Sequence, residues 1–197
     1  MKIHLSIVLF VIFSSLASFP LANGQSSPML NGTVESGNLT GASQSGNVTG
    51  ASGNITGASG NITGASGNIT GASQSSNLTG TSKPDNLIGT QGDDFIFGGA
   101  GFDNITGNQG NDEIDGGVGG DKLAGGIGDD VIFGGIGNDN ILGEDGNDDL
   151  FGGPGADYLD GGKGADYFDC GTSADTIANL NISEGDISLP NCEKMSR

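Results

Sequence analysis

Gly125-Gly126-Ile127-Gly128-Asp129-Asp130-Val131-Ile132-Phe133 is the stretch on which the reading of this chain turns. The same nine-residue unit recurs eleven times between residues 80 and 178. Its sixth place is always aspartate: Asp85, Asp94, Asp103, Asp112, Asp121, Asp130, Asp139, Asp148, Asp157, Asp166 and Asp175. Its eighth place is always large and apolar: Leu87, Ile96, Ile105, Ile114, Leu123, Ile132, Ile141, Leu150, Leu159, Phe168 and Ile177. Glycine opens every unit from Gly80 to Gly161, and Cys170 opens the last. A period held over this many units defines a repeat architecture.

Glycines at places one, two and four permit a tight turn. The strand that follows is about three residues long, and alternate side chains on a strand face opposite ways. The eighth place therefore points inward, and places seven and nine point out. One such strand buries almost nothing. Stacked at a spacing of about 4.8 Å, strands build a continuous apolar ladder. Two units then make one coil, with two short parallel sheets facing each other. Successive turns fall on alternate edges, so Asp130 stacks between Asp112 and Asp148. Such a column of carboxylates repels itself. With glycine-turn carbonyls beside it, and no His or Cys, it forms a hard oxygen shell. That shell suits Ca²⁺, which takes about 6–8 oxygens in flexible geometry, better than Mg²⁺, which demands a strict octahedron.

The unit resembles the RTX, or haemolysin-type, calcium-binding nonapeptide G-G-x-G-x-D-x-U-x. The resemblance covers residues 80–178, about half the chain. It implies an all-β fold, a right-handed parallel β-roll solenoid with several Ca²⁺ ions between stacked turns, each sixth-place aspartate supplying a carboxylate. Asp85 and Asp175 sit in end turns that depart from the pattern, with Lys83 and Pro84 in the first and Ser173 in the last. Thr90, Asn108 and Glu144 replace the second glycine elsewhere.

Residues 1–24 read as a secretory signal: Lys2, an apolar run from Ile7 to Phe13, then small residues ending at Gly24. The rival reading is an uncleaved membrane anchor from Leu5 to Ala22 that tethers the chain to the cell surface. Residues 25–79 are low-complexity, built on Gly-Asn-Ile-Thr-Gly-Ala-Ser with one charge, Glu35. So little apolar surface predicts a disordered spacer. Asn31, Asn38, Asn47, Asn54, Asn61, Asn68 and Asn77 each open an Asn-x-Thr sequon, so the spacer is expected to carry glycans. Residues 179–197 form a C-terminal tail. Ile182, Ile187 and Leu189 are expected to fold over the open end of the solenoid. Cys170 and Cys192 bracket that tail, and in an exported chain they favour a disulfide.

Of 24 acidic residues, 23 lie from Asp85 onward, against six basic residues in the whole chain. A net charge of −18 excludes nucleic acid as a partner and points to cations. The only histidine is His4, inside the signal, so the mature chain holds neither a zinc-protease motif nor a Ser-His-Asp triad. The chain reads as a secreted calcium-binding repeat protein and not an enzyme. The alternative is a calcium-dependent adhesive module. Phe95, Phe97, Val131, Phe133, Phe151 and Tyr167 fall on one outward face, where a cell-surface or matrix partner could dock.

Overall fold

The computed structural model describes residues 32–33, 39–45, 48–49, 55–59, 61–63, 68–71, 76–192 and 194–196. Among them every regular element is a strand, and no helix is long and apolar enough to cross a membrane. The signal at 1–24 and Asn31, Asn38, Asn47 and Asn54 lie outside the described residues.

Two parallel sheets of ten strands each make up the solenoid. The first holds Gly32–Thr33, Val48–Thr49, Asn61–Thr63, Asn77–Thr79, Phe95–Ala100, Glu113–Val118, Val131–Ile136, Asp149–Phe151, Tyr167–Asp169 and Ile187–Ser188. The second holds Leu39–Ser45, Ile55–Ser59, Asn68–Gly71, Asn86–Ile88, Asn104–Gln109, Lys122–Ile127, Asn140–Asp145, Tyr158–Lys163, Thr176–Ala178 and Lys194–Ser196. Consecutive strands alternate between sheets, so each pairs with the strand two further along. In the nonapeptide region the partners lie two units apart: Ile96 opposite Ile114, Ile114 opposite Ile132, Ile105 opposite Leu123. The expected two-unit coil is the observed one.

The eighth-place residues from Leu87 to Ile177 are all fully or almost fully buried, and they form a single core cluster. The sheets meet across this one ladder. A branched or aromatic side chain in every rung fills it, and place one, two residues after each rung, has no room for a side chain wherever glycine holds it, from Gly80 to Gly161. A Cβ on Gly125 would overlap the Asp130 carboxylate of its own unit. Turn place four has the same constraint from another direction. Gly137 adopts φ +153°, and a Cβ there would strike the Gly119 carbonyl one coil earlier. Asn108 and Glu144, which replace glycine at place two, still adopt φ +87° and +82°, so both turns keep their shape.

The sheets also run into residues 25–79, where composition leads one to expect a spacer without structure. Strands are found there instead, at 55–59, 61–63, 68–71 and 77–79 among others. Ile62 and Leu78 continue the apolar ladder and are fully buried. Asn-Ile-Thr has the polar–apolar–polar alternation of a strand. Composition judges the segment in isolation, whereas its strands pair onto rungs already formed. Coils shorten along the way. Ile96 pairs with Leu78 at 18 residues, Leu78 with Ile62 at 16 and Ile62 with Val48 at 14. The heptapeptide units thus make a narrower coil than the nonapeptides.

At the other end the tail caps the roll, but with different residues from those expected. Ile182 and Ile187 are 77% and 61% exposed. Leu180 and Cys192 pack on the core instead. The cause is register: Ile187 pairs with Tyr167 on the outer face, which sets Ser188, not an apolar residue, opposite Phe168. Cys170 and Cys192 are bonded, with Cα atoms 5.1 Å apart. Replacing both by serine is expected to cost about 3 kcal/mol, from the entropy of a loop of this length in the unfolded chain. A thermal melt in saturating calcium, compared with the parent chain, measures it. An unchanged melting temperature would mean that the tail holds without the bond.

Candidate metal centre

Each sixth-place aspartate is placed by its turn and held by the neighbouring coil. Asp130 Oδ1 accepts the Asp112 N–H at 2.7 Å, Asp148 Oδ1 accepts that of Asp130 at 2.9 Å, and Asp166 Oδ1 accepts that of Asp148 at 3.0 Å. On the opposite edge Asp103, Asp121, Asp139, Asp157 and Asp175 bond the amides of Asp85, Asp103, Asp121, Asp139 and Asp157 in the same way. The strand alternation thus builds two columns of carboxylates, one on each edge, and from Asp94 onward each carboxylate is bonded to the coil before it.

The second oxygen of most of these carboxylates is left over. Asp103, Asp112, Asp121, Asp130, Asp139, Asp148, Asp157 and Asp175 each bury an Oδ2 that meets no donor, and Asp85 buries such an Oδ1. Buried polar atoms are almost always paired, so a run of orphans identifies a missing partner. These atoms are carboxylate oxygens in a row, an arrangement that fits a cation. Asp94 differs. Ser76 N and Oγ hold its Oδ1, while Thr90 N and Oγ1 hold its Oδ2. The threonine that replaces the second glycine does for Asp94 what no residue does for Asp112.

The electrostatics agree. Burial pushes Asp112 and Asp148 up to about 7, and Asp103, Asp139 and Asp157 up to about 6. The backbone N–H that each accepts pulls the other way, and neighbouring carboxylates of the same column add to the rise. Asp121, Asp130 and Asp166 rise for the same leading cause. Charged carboxylates are thus uncomfortable here without a counter-ion. Among the described residues no group of three or more His, Cys, Asp or Glu side chains converges on one point. A cation between turns would therefore draw on backbone carbonyls beside the carboxylates. The fourth-place carbonyls of Gly101, Gly119 and Gly137 supply such a column, each against the next coil's fourth-place glycine. Oxygen-only donors of mixed kind fit Ca²⁺.

One member of the columns escaped the sequence reading. Asp186 Oδ1 accepts the Asp166 N–H at 3.1 Å, and its Oδ2 accepts the Asn181 N–H at 2.6 Å. It extends the Asp94-to-Asp166 column into the tail. It lies twenty residues after Asp166 instead of eighteen, and Ser188 stands where the repeat demands an apolar residue. Its signal was an aspartate directly ahead of the alternation Ile187-Ser188-Leu189, two residues past one coil's length from Asp166.

No curated protein and no solved structure matches the chain. A family model described as the RTX calcium-binding nonapeptide repeat, in four copies, matches residues 79–114, 88–123, 115–150 and 142–177. These spans reach across half the chain and carry both columns from Asp85 to Asp175, so the chain belongs to the RTX calcium-binding nonapeptide repeat family.

Proposed function

We propose that this is an exported calcium-binding module whose roll folds as several Ca²⁺ ions settle between its stacked turns. The carrying observation is the row of buried, partnerless carboxylate oxygens from Asp103 to Asp175. Twenty acidic residues between Asp85 and Ala178 face only Lys122 and Lys163, so without cations the folded roll is self-repelling. Calcium removes that repulsion and ties coil to coil, and binding energy becomes folding energy. Each added coil presents the next with half a site, so uptake is cooperative. The test is a calcium titration of chelator-treated chain followed by far-ultraviolet circular dichroism and limited proteolysis. The proposal expects a disordered spectrum without calcium and a steep gain of strand on titration. Full strand content and protease resistance in chelator would overturn it.

The module is read as non-enzymatic. Its carboxylates sit in columns between turns, and the mature chain has no histidine to serve as a base. Export rests on residues 1–24, and intact mass of the secreted chain tests whether it begins at Gln25. The sequons are proposed as glycan sites, with Asn77 exposed at the start of its strand.

A second reading, as an adhesive module, is favoured by the unequal outer faces of the two sheets. On the first sheet Phe133 and Phe151 stack with ring centroids 4.8 Å apart, and Tyr167 lies 6.0 Å beyond. The second sheet's outward positions from Asn86 to Ala178 hold one aromatic residue, Tyr158. Both sheets need equally good strand formers, so strand propensity explains neither the excess nor the segregation.

A further inference from the structure

The outer face of the first sheet combines bulky apolar residues with charges of a single sign. Its charged outward residues, Glu113, Asp115, Asp149 and Asp169, are all acidic. Each of the first three lies between apolar neighbours on the adjoining strands. Glu113 pairs with Phe95 and Val131, Asp115 with Phe97 and Phe133, and Asp149 with Val131 and Tyr167. Asp169 is occupied by Asn191 Nδ2 at 2.7 Å and the Gly171 N–H. Neither the Glu113 nor the Asp149 carboxylate has a hydrogen bond or ion pair among the described residues. The same sheet continues into a corner row where Val118 and Ile136 are 51% and 58% exposed, in register with Ala100. The corresponding corner of the second sheet carries Gln109, Asp145 and Lys163, the last two ion-paired at 2.6 Å, with Ile127 between. The second sheet also satisfies polar groups within itself, as where Asn104 Nδ2 donates to Asn86 Oδ1 at 2.8 Å. Unpaired carboxylates with an aromatic ring on an adjoining strand, Glu113 and Asp149, therefore belong to one face only, while Asp115 accepts the Gly117 N–H.

We propose that this face docks a polypeptide partner through arginine or lysine side chains, which pair with Glu113, Asp115 and Asp149 while lying against the neighbouring rings. The inference deepens the adhesive reading above and rests on it. Adjacent strands are about 4.8 Å apart, so a cation over any of these carboxylates also has a ring or branched side chain one strand away. Guanidinium groups suit that setting, since they fork onto carboxylates and stack on aromatic faces. A neutral saccharide fits less well: it needs donors as well as acceptors, and Tyr167 brings the one hydroxyl among the outward residues paired with Glu113, Asp115 and Asp149. The strongly acidic chain also draws cationic partners at long range.

The test uses the exported full chain saturated with calcium and a short labelled peptide alternating arginine and valine, read by fluorescence anisotropy. Glu113→Gln with Asp149→Asn is expected to weaken binding about tenfold or more. Asp145→Asn with Asp160→Asn removes the same charge from the other sheet and should change it less than about twofold. Phe133→Ser with Phe151→Ser should abolish binding and leave calcium uptake intact. Should that pair fail to fold, the two carboxylate pairs decide alone. Equal loss in both carboxylate pairs means diffuse attraction and overturns the proposal. Loss with the phenylalanine pair but not with Glu113 and Asp149 removes the cationic partner and spares the adhesive reading. No loss with either sinks both. Binding of a neutral oligosaccharide with no response to the peptide would reassign the face to sugars.

Discussion

Asp130→Ala is expected to raise the calcium concentration needed for folding by about tenfold or more, while Asp85→Ala raises it less than about threefold. Asp130 is buried in the middle of its column and bonded to the coil before it through the Asp112 amide. Its removal orphans that buried amide, which alone costs about 1–3 kcal/mol. It also removes the free Oδ2 shared with any cation between its turn and the next. Asp85 stands at the irregular first turn. Its Oδ2 serves Thr81 of its own unit, and no earlier coil hangs on its Oδ1. Paired calcium titrations by circular dichroism check this. Equal shifts for the two variants would mean that folding does not pass from coil to coil along the column.

Acid is expected to stand in for calcium. In the calcium-free roll Asp112 and Asp148 rise to about 7 and Asp103, Asp139 and Asp157 to about 6, against about 3.9 in an unfolded chain. The folded state therefore binds protons more tightly than the unfolded one. That stabilisation is complete below about pH 4 and is lost as pH rises through 6 to 7. A chelated sample disordered at pH 7.5 should gain strand as pH falls toward about 4.5, where protonation silences the column. In calcium the opposite slope applies, because protons compete with the ion for the same oxygens. Circular dichroism against pH, with and without chelator, gives both curves. A calcium-free chain that stays disordered down to pH 4.5 would show that repulsion in the columns is not what opposes folding.

The sequence was most legible where one residue type had one geometric duty. The eighth place must be apolar in every unit because it alone fills the space between the sheets, so alternation placed Leu87 to Ile177 correctly. The aspartate columns were legible for the same reason, since a two-unit coil fixes which turns stack. Three things were not. Asn-Ile-Thr at residues 61–63 reads as disordered by composition, because the burial of Ile62 depends on Leu78 already being in place. Ser188 and Asp186 obey the roll's geometry but not its spacing: the tail inserts two residues before rejoining the column. Periodicity can find only what repeats, and a cap is by nature the unit that stops repeating. The fate of Asp94 was hidden likewise, since it depends on which neighbours, Thr90 and Ser76, carry hydroxyls.

The bond between Cys170 and Cys192 also decides how the molecule bears tension. A pull on the C-terminal end first peels Lys194–Ser196 from its partner Thr176–Ala178. Once that strand has parted, the load crosses the sulfur bridge and enters the roll at Cys170, so Thr176–Ala178 and Ile187–Ser188 are bypassed as a slack loop. No such bypass exists among the described strands toward the other end, where coils narrow and the aspartate columns have run out. Under a steady load the chain should unwind from its narrow end, coil by coil, with the calcium-laden coils as successive stops. Such a chain lengthens in small increments and keeps its last, cross-linked coil to the end.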